Sequence, residues 1–264
     1  MRLCPLFSGS SGNCIYIEFS KDNAILVDAG KSNKQLENSF KINNINPSNI
    51  KAIFITHEHS DHIAGLKVFL KNHDVKVYGS GGTLSALQEK GIISKNDSFE
   101  VLKKAEKDLD FFSVKPFSIS HDCKEGYGYS FVSGNGEKVS VCTDLGYVSN
   151  EIKNDLKGSH AVILESNHDQ MMLQNGPYPY YLKRRILSDV GHLSNDSCGE
   201  LLPYLVNNGT KNIVLSHLSA HNNLPDLALQ TSISYLARES MTCNKDFYLS
   251  IAPRENKKDV CVEF

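Results

Sequence analysis

The stretch Thr56-His57-Glu58-His59-Ser60-Asp61-His62 places three imidazoles and two carboxylates within six consecutive residues. It directly follows the apolar run 52–55, whose branched side chains predict a buried strand. A loop leaving that strand could aim the alternate residues His57 and His59 at one cation, while Asp61 and His62 face a second position nearby. Imidazoles suit zinc, manganese or iron, and a carboxylate adds charge neutralisation. A solvated histidine-rich loop is the alternative, and it is disfavoured because α/β proteins build binding sites at the ends of buried strands.

The pattern His-x-His-x-Asp-His resembles the signature of the metallo-β-lactamase fold, an α/β architecture in which four αββα layers surround a two-metal site. Three later stretches narrow the resemblance to the YycJ/WalJ type: Glu165-Ser166-Asn167-His168-Asp169, the segment from Tyr178 to Ile186, and Gly191-His192-Leu193-Ser194-Asn195. The last of these is also similar to the Gly-His-Ser-Thr segment of ribonuclease Z. The resemblance implies a single domain of this fold over residues 1–264.

Composition limits the class of protein. The chain has 264 residues and a formal net charge of −2, which favours one large α/β domain and gives no general affinity for nucleic acid. No apolar stretch approaches the roughly 20 residues that span a bilayer, and the amino terminus lacks a secretory signal, so we expect a cytoplasmic protein without a membrane partner. The seven cysteines form no Cys-x-x-Cys pair, which predicts reduced thiols.

Hydrophobic periodicity predicts strands interleaved with helices. The predicted strands are 14–19, 24–28, 52–56, 75–78, 99–102, 111–120, 129–132, 138–142, 161–164, 213–217, 247–252 and 260–264. The predicted helices are 34–42, 62–70, 83–90, 149–156, 198–206 and 225–240. Two adjacent strand pairs, 14–19 with 24–28 and 129–132 with 138–142, are expected to be antiparallel. This alternation predicts mixed sheets covered by helices.

Further metal ligands are expected at strand ends. His121 and Asp144 each follow a predicted strand, although a single residue of this kind is more often a hydrogen-bonded cap. The fold's remaining metal motifs are similar to the segments around His121, Asp144 and His217. The resemblance therefore implies seven ligands: His57, His59, Asp61, His62, His121, Asp144 and His217. An aspartate bridging two cations about 4 Å apart, in place of the cysteine of zinc β-lactamases, argues against antibiotic hydrolysis.

Other polar residues are predicted to contact substrate or take part in catalysis. The glycine-rich stretch 8–13 could approach a ligand closely, although an ordinary flexible turn is the alternative. The cluster Lys183-Arg184-Arg185 could bind phosphate or form a solvated helix face. The predicted substrate-binding residues are Ser11, Asn13, Asn167, His168, Lys183, Arg184 and Asn195. His192 is the predicted general acid, which Glu165 could hold protonated, and Asp61 is the second predicted catalytic residue.

The metal pattern predicts hydrolysis by a metal-bridging hydroxide but leaves the substrate open among phosphodiesters, thioesters, lactones and lactams. The resemblance implies two divalent ions (Mn²⁺ or Zn²⁺, with iron as a further option) and an exonuclease that degrades DNA from its 5′ end, with DNA favoured over RNA. A thioester or lactone hydrolase of the glyoxalase II type and a metal-stabilised regulatory protein are the alternatives. The substrate groove would be built by this domain, alone or with a second copy in a homodimer. His221 is expected to lie at the surface or behind the ligands.

Overall fold

A computed structural model describes residues 1–264. The chain forms two compact units: the first comprises Met1–Pro116, Cys123–Tyr127 and Ala252–Phe264, and the second comprises Phe117–Asp122 and Gly128–Ile251. No helix is both long enough and apolar enough to cross a membrane.

The first sheet has seven strands in the order β14-β1-β2-β3-β4-β5-β6. Their bounds are β1 Arg2–Phe7, β2 Cys14–Ser20, β3 Asn23–Val27, β4 Ile50–Phe54, β5 Lys76–Gly79, β6 Phe99–Val101 and β14 Val262–Glu263. Strands β3 to β6 are parallel, whereas β1 pairs antiparallel with both β2 and β14. The helices of this half are α1 Asn33–Ile42, α2 Ser60–Ile63, α3 Leu66–Asn72 and α4 Gly81–Glu89, and a 3₁₀ turn lies at Pro47–Asn49.

The second sheet also has seven strands, in the order β13-β12-β11-β10-β9-β8-β7. Their bounds are β7 Lys107–Leu109, β8 Phe112–Ser118, β9 Tyr127–Ser133, β10 Lys138–Cys142, β11 Ala161–Glu165, β12 Asn212–Ser216 and β13 Tyr248–Ile251. Strands β10 to β13 are parallel, and β9 pairs antiparallel with β10. The accompanying helices are α5 Asn150–Leu156, α6 Gln170–Asn175, α7 Tyr180–Ile186, α8 Asn195–Asn207 and α9 Pro225–Arg238.

Each sheet buries alternate side chains against its own helices. In the first unit Leu36 and Phe40 of α1 share a core with Leu26 and Ile53 of the central strands. In the second unit a comparable core contains alternate residues of β11 and β12 together with apolar residues of α5, α8 and α9. Residues on the opposite strand faces, such as Ile25, are equally buried. Both faces of the central strands are therefore covered, as expected for parallel strands with continuous apolar runs.

Most predicted elements are present, and the two expected antiparallel strand pairs are confirmed. The single helix predicted over 62–70 is wrong, because α2 ends at Ile63 and α3 begins at Leu66. The helix is interrupted around Gly65, where an added Cβ would lie 1.9 Å from the backbone oxygen of Lys31. Strands β1 and β7 and helices α6 and α7 were not among the predicted elements.

The expectation that all seven cysteines are reduced is also wrong, because Cys4 and Cys261 form a disulfide. They are separated by 257 positions in sequence, but the pairing of β1 with β14 brings their Cα atoms to 4.4 Å. The other five cysteines are free thiols.

Candidate active site

Polar residues of the first unit gather where parallel strands end. Asp28 follows the last residue of β3, and His57 lies three positions beyond the end of β4. Because the carboxyl ends of parallel strands lie at one edge of a sheet, these residues are neighbours in space. Asp28 has φ 64°, in the left-handed region that aspartate tolerates better than most residues. That conformation ends the strand and turns the Asp28 carboxylate toward the loop after β4.

The predicted metal loop forms a first-unit cluster of four residues, His57, His59, Asp61 and His62. Nε2 of His57 lies 3.1 Å from Nδ1 of His59, and the rings of His57 and His62 have centroids 4.1 Å apart. Oδ2 of Asp61 lies 3.4 Å from Nε2 of His62. His57 and His62 are fully buried, while His59 and Asp61 are partly exposed. The first unit thus brings all four predicted ligands of this loop together.

Asp28 holds this cluster in place. Its carboxylate accepts hydrogen bonds from the backbone N–H of Thr56 at 2.8 Å, from the Thr56 hydroxyl at 2.9 Å and from Nδ1 of His62 at 2.7 Å. Burial raises the pKa of the Asp28 carboxyl, while the charge and hydrogen bonds of His62 and Thr56 oppose that rise. Since the proton of His62 is held on Nδ1, its Nε2 has the lone pair that a metal requires.

The glycine-rich loop before β2 contacts the same cluster. Asn13 is buried, and its Nδ2 lies 3.2 Å from Oδ2 of Asp61 and 3.0 Å from Nε2 of His62. Gly30 permits this approach, because an added Cβ there would lie 1.7 Å from the backbone oxygen of Asp61. Ser11 is exposed, and its hydroxyl accepts a hydrogen bond from Lys31. Of the two residues predicted to contact substrate here, Asn13 therefore supports the metal loop directly, and Ser11 lies at its outer edge.

The second unit builds its own group at strand ends, the second-unit cluster of Asp144, Glu165, His192 and His217. One ligand atom from each of the four lies within 4.8 Å of the others. Asp144 and His217 follow β10 and β12, and Glu165 is the last residue of β11, so three adjacent parallel strands contribute. Asp144 and His217 have φ values of 58° and 56°, in the left-handed region, so the extended conformation of each strand ends before them.

Glu165 organises this second-unit cluster. It is fully buried, and its Oε1 accepts hydrogen bonds from Nδ1 of His192 at 2.8 Å and from Nδ1 of His217 at 2.9 Å. Its Oε2 accepts the backbone N–H groups of Leu145 and Leu193. Burial raises the pKa of Glu165, but the charges and hydrogen bonds of His192 and His217 outweigh burial and hold that pKa well below its usual range. Glu165 is therefore an ionised acceptor shared by two histidines.

His121 belongs to the same unit and is fixed by a different acceptor. Its Nδ1 lies 3.0 Å from the backbone oxygen of Gly191, one residue before His192. Burial lowers the pKa of His121, with neighbouring carboxylates opposing the shift. A neutral ring that donates from Nδ1 presents a lone pair at Nε2, which is the state that metal binding requires.

Three further residues predicted to contact substrate are buried in the second unit. Asn167 donates from Nδ2 to the backbone oxygen of His217 at 2.8 Å, so it supports the turn after β12. Asn195 is fully buried, and its amide forms a reciprocal pair with Asn223, at 2.9 Å in each direction. His168 is also buried, and burial lowers its pKa to about 4. Asn167 and Asn195 therefore bind other groups of the protein. Ser194 caps α8 by accepting the backbone N–H of Ser197.

The basic residues of α7 differ from one another in their contacts. Lys183 donates to the backbone oxygen of Gln174 at 2.8 Å, and Arg185 binds both carboxylate oxygens of Asp122. Arg184 is exposed and lies over the ring of Tyr180, 6.0 Å from its centroid. His221 is exposed beside Tyr178, so of the two positions expected for it, the surface and the layer behind the ligands, it occupies the first.

Two supporting carboxylates were not fully predicted. The sequence analysis predicted that Glu165 supports His192, but not that it also supports His217, and it predicted no role for Asp28. The available signal was the same in both cases, since each acid ends an apolar run, as His121 and Asp144 do. Strand-end position alone does not separate a ligand from the residue that orients it.

The donor chemistry of both clusters fits divalent cations. All predicted ligand atoms are imidazole nitrogens or carboxylate oxygens, without a thiolate, and most of these residues are buried. Nδ1 of His62, His121 and His217 each faces an oxygen acceptor, which directs Nε2 toward a ligand position. Such nitrogen and oxygen donors suit zinc, manganese and iron.

Comparisons with known proteins agree with this chemistry. Residues 23–218 match the family model described as Beta-lactamase superfamily domain. The chain is 40% identical over 240 residues to exodeoxyribonuclease YycJ of Bacillus anthracis, covering 90% of both chains. It is 38% identical over 248 residues to exodeoxyribonuclease WalJ of Streptococcus pneumoniae, covering 92% of this chain and 90% of that protein.

Among solved structures, the metallo-β-lactamase fold protein YhfI of Bacillus subtilis matches with a TM-score of 0.73. The match covers 97% of each chain at 15% sequence identity, so it is informative about the fold alone. The fold class predicted from the sequence, the αββα sandwich of the metallo-β-lactamases, is confirmed.

Proposed function

Because this chain belongs to the β-lactamase superfamily and, within it, to the YycJ/WalJ family, we propose that it is a metal-dependent exodeoxyribonuclease that degrades DNA in the 5′-to-3′ direction. The observation on which the proposal rests is the shared carboxylate of Glu165, which binds a predicted metal ligand, His217, and a histidine outside the predicted ligand set, His192. A hydrolase of phosphodiesters needs both a metal ligand, the role proposed for His217, and a proton donor, the role proposed for His192. Membership of the superfamily alone would not exclude thioesters as substrates.

We further propose that two divalent ions bind to His57, His59, Asp61, His62, His121, Asp144 and His217. Mn²⁺ and Zn²⁺ are the candidates, with iron as a third. Bound there, the ions would acidify a water molecule and neutralise charge on the phosphate. With no thiolate among the donors, zinc has no advantage beyond its general affinity for nitrogen.

His192 supplies the proton in this proposal. Cleavage of a nucleic acid strand expels a sugar alkoxide, which leaves slowly unless it is protonated, and a positioned acid contributes about 10²–10⁴-fold. Glu165 accepts from Nδ1 of His192, so the opposite nitrogen, Nε2, is the one that can donate to the leaving oxygen. Asp61, whose Oδ2 accepts a hydrogen bond from Nδ2 of Asn13, would hold the water that attacks phosphorus.

The leaving group separates this function from the glyoxalase II alternative. A thiolate departs without a proton, so thioester hydrolysis gives no reason for a histidine held by a buried carboxylate beside the predicted ligands. Both relatives are exodeoxyribonucleases, which also favours DNA as the substrate. Action on DNA would place the protein in the cytoplasm. A homodimer that completes the substrate groove stays a prediction.

The test is a degradation assay with end-labelled oligonucleotides. The protein would be stripped with chelator, reloaded with Mn²⁺ or Zn²⁺, and incubated with single- and double-stranded DNA and RNA labelled at either end. We expect mononucleotides from DNA, released first from the 5′ end, with more activity in Mn²⁺ than in Zn²⁺.

A thioester substrate and bis(p-nitrophenyl) phosphate serve as controls in the same assay. Thioester turnover without DNA cleavage would replace the proposal with a glyoxalase-type hydrolase. Turnover of neither control nor of DNA would favour a regulatory protein with a structural metal site.

A further inference from the structure

Helix α7 and its flanks have an unusual surface. Five of the eleven large exposed hydrophobic side chains of the protein lie between residues 171 and 190: Met171, Tyr180, Tyr181, Leu187 and Val190. The two adjacent tyrosines are the most exposed of these, at 75% for Tyr180 and 74% for Tyr181. An exposed aromatic pair of this kind, in a helix without an acidic residue, indicates a binding surface.

The helix is held rigidly while these side chains face solvent. Ile186 is buried beneath it, Lys183 donates to the backbone oxygen of Gln174, and Arg185 binds Asp122 in a bidentate pair. Arg184 has a different position, over the ring of Tyr180. The helix therefore offers solvent two tyrosine rings and one guanidinium group on a fixed backbone.

This surface is connected to the second-unit cluster by short backbone contacts. The N–H of His192 donates to the backbone oxygen of Ile186, the last residue of α7. The N–H of Gly191 donates to Ser188, and the oxygen of Gly191 accepts from Nδ1 of His121. The end of α7 thus contacts the segment that positions His192, so a ligand on the helix would lie beside the proposed acid.

We propose that Tyr180, Tyr181 and Arg184 form a platform that binds single-stranded DNA next to the cleavage site. Bases stack on the tyrosine rings, and Arg184 lies against the phosphate chain. Aromatic side chains combined with cations are the usual means of binding single strands, because every unpaired base presents a π face. The inference rests on the proposed nuclease function and deepens it, since it commits the enzyme to an unpaired strand.

Duplex DNA does not fit this surface in the same way. Its bases are already stacked on one another, so tyrosines on a seven-residue helix could reach only its phosphates. A purely electrostatic site would need cations, but two of the three basic residues of α7 are engaged with protein groups. The exposed rings, rather than charge, are the larger part of the surface.

The experiment compares binding of two DNA probes to the metal-loaded protein. The probes are a phosphorothioate dT 15-mer, which resists cleavage, and a blunt phosphorothioate duplex of the same length, both followed by fluorescence anisotropy. Tyr180→Ala and Tyr181→Ala should each weaken single-strand binding about tenfold, whereas duplex affinity should change less than about twofold. Tyr180→Trp should retain binding. The matched control is Tyr248→Ala, which removes a tyrosine 57% exposed on β13.

Other outcomes would overturn the platform. Unchanged single-strand binding in a variant that combines Tyr180→Ala with Tyr181→Ala, or an equal loss of affinity for both probes, would exclude base stacking. A loss of self-association in sedimentation, with DNA binding intact, would instead assign the surface to contact between copies of this chain. Hydrolysis of bis(p-nitrophenyl) phosphate by the same variants keeps the two proposals apart. If the wild-type protein hydrolyses no phosphodiester, the proposed nuclease function is wrong. The platform is tested separately, by the affinity of the tyrosine variants for the two DNA probes.

Discussion

Replacing Asp28 with asparagine should weaken binding of one metal ion without unfolding the protein. Oδ1 of Asp28 accepts the backbone N–H of Thr56, and Oδ2 accepts Nδ1 of His62. If the new amide oxygen keeps the Thr56 contact, its NH₂ group faces Nδ1 of His62. That nitrogen must then give up its proton, which moves to Nε2 and removes the lone pair that a metal needs.

The expected magnitude follows from the lost contact. A hydrogen bond to a charged group contributes about 1.5–3 kcal/mol, and tenfold in affinity corresponds to about 1.4 kcal/mol. Loss of a carboxylate behind a ligating histidine typically lowers metal affinity about 10–100-fold, which agrees with that range. One of the two metal equivalents should therefore bind about 10–100-fold more weakly in Asp28→Asn.

Calorimetric titration of the stripped protein with Mn²⁺ and with Zn²⁺ measures this loss directly. Thr56→Ser is the matched control, since it keeps the backbone N–H and the hydroxyl that contact Asp28. Asp28→Asn should also unfold at a lower temperature than the wild-type protein. The titrations are therefore made at 25 °C, below the unfolding midpoints of both proteins. Two equivalents bound with wild-type affinity would refute the assignment of Asp28 as the residue that sets the His62 tautomer.

Three further predictions concern other parts of the chain. Asp144→Ala should abolish DNA hydrolysis and lower metal content, because two cations would lose a shared negative charge, whereas Asp61→Ala should empty mainly one position; elemental analysis showing two full equivalents in both active variants would contradict the ligand set. His192→Ala should reduce DNA cleavage steeply, by about 10²–10⁴-fold, but leave hydrolysis of bis(p-nitrophenyl) phosphate nearly unchanged, since nitrophenolate leaves without a proton; equal losses on the two substrates would exclude the general acid. Reduction of the Cys4–Cys261 disulfide, which joins residues 257 positions apart, should destabilise the protein by about 2–4 kcal/mol in denaturant unfolding. Cys261→Ser should make stability insensitive to reductant, and thiol alkylation in cells would test the cytoplasmic placement, because disulfides are rare in reducing compartments.

Local sequence was sufficient wherever an apolar run ended in a polar residue. The strands β3, β4, β10, β11 and β12 were predicted because buried parallel strands are continuous runs of branched and aliphatic residues. Asp144 and His217 lie just after β10 and β12, and His121 lies after β8, but the resemblance to the fold's metal motifs, rather than periodicity, identified the three as predicted ligands. Their distances from one another could not be predicted, because these depend on strand order, which periodicity does not report.

The errors have definite physical causes. The break between α2 and α3 depends on a contact of Gly65 with Lys31, which lies more than 30 positions away in sequence. The first strand was missed because Pro5 and polar flanks obscure its pattern, although it pairs with β2 and β14. Asn195 was predicted to contact substrate, but its partner Asn223 lies 28 positions away. Each depends on long-range pairing that no local window contains.

The two units solve the same chemical problem in the same way. Asp28 in the first unit and Glu165 in the second are buried carboxylates at strand ends, and each accepts from Nδ1 of a predicted ligand, His62 and His217 respectively. The backbone is left-handed at Asp28 itself and at His217, the partner of Glu165. Such conformations cost about 1–3 kcal/mol and persist only when surrounding contacts fix them. The hydrogen bonds of each carboxylate provide those contacts. Each unit therefore sets the tautomer of its own histidine before any ion binds. The same hydrogen bonds stabilise the strained strand ends and preorganise the metal ligands.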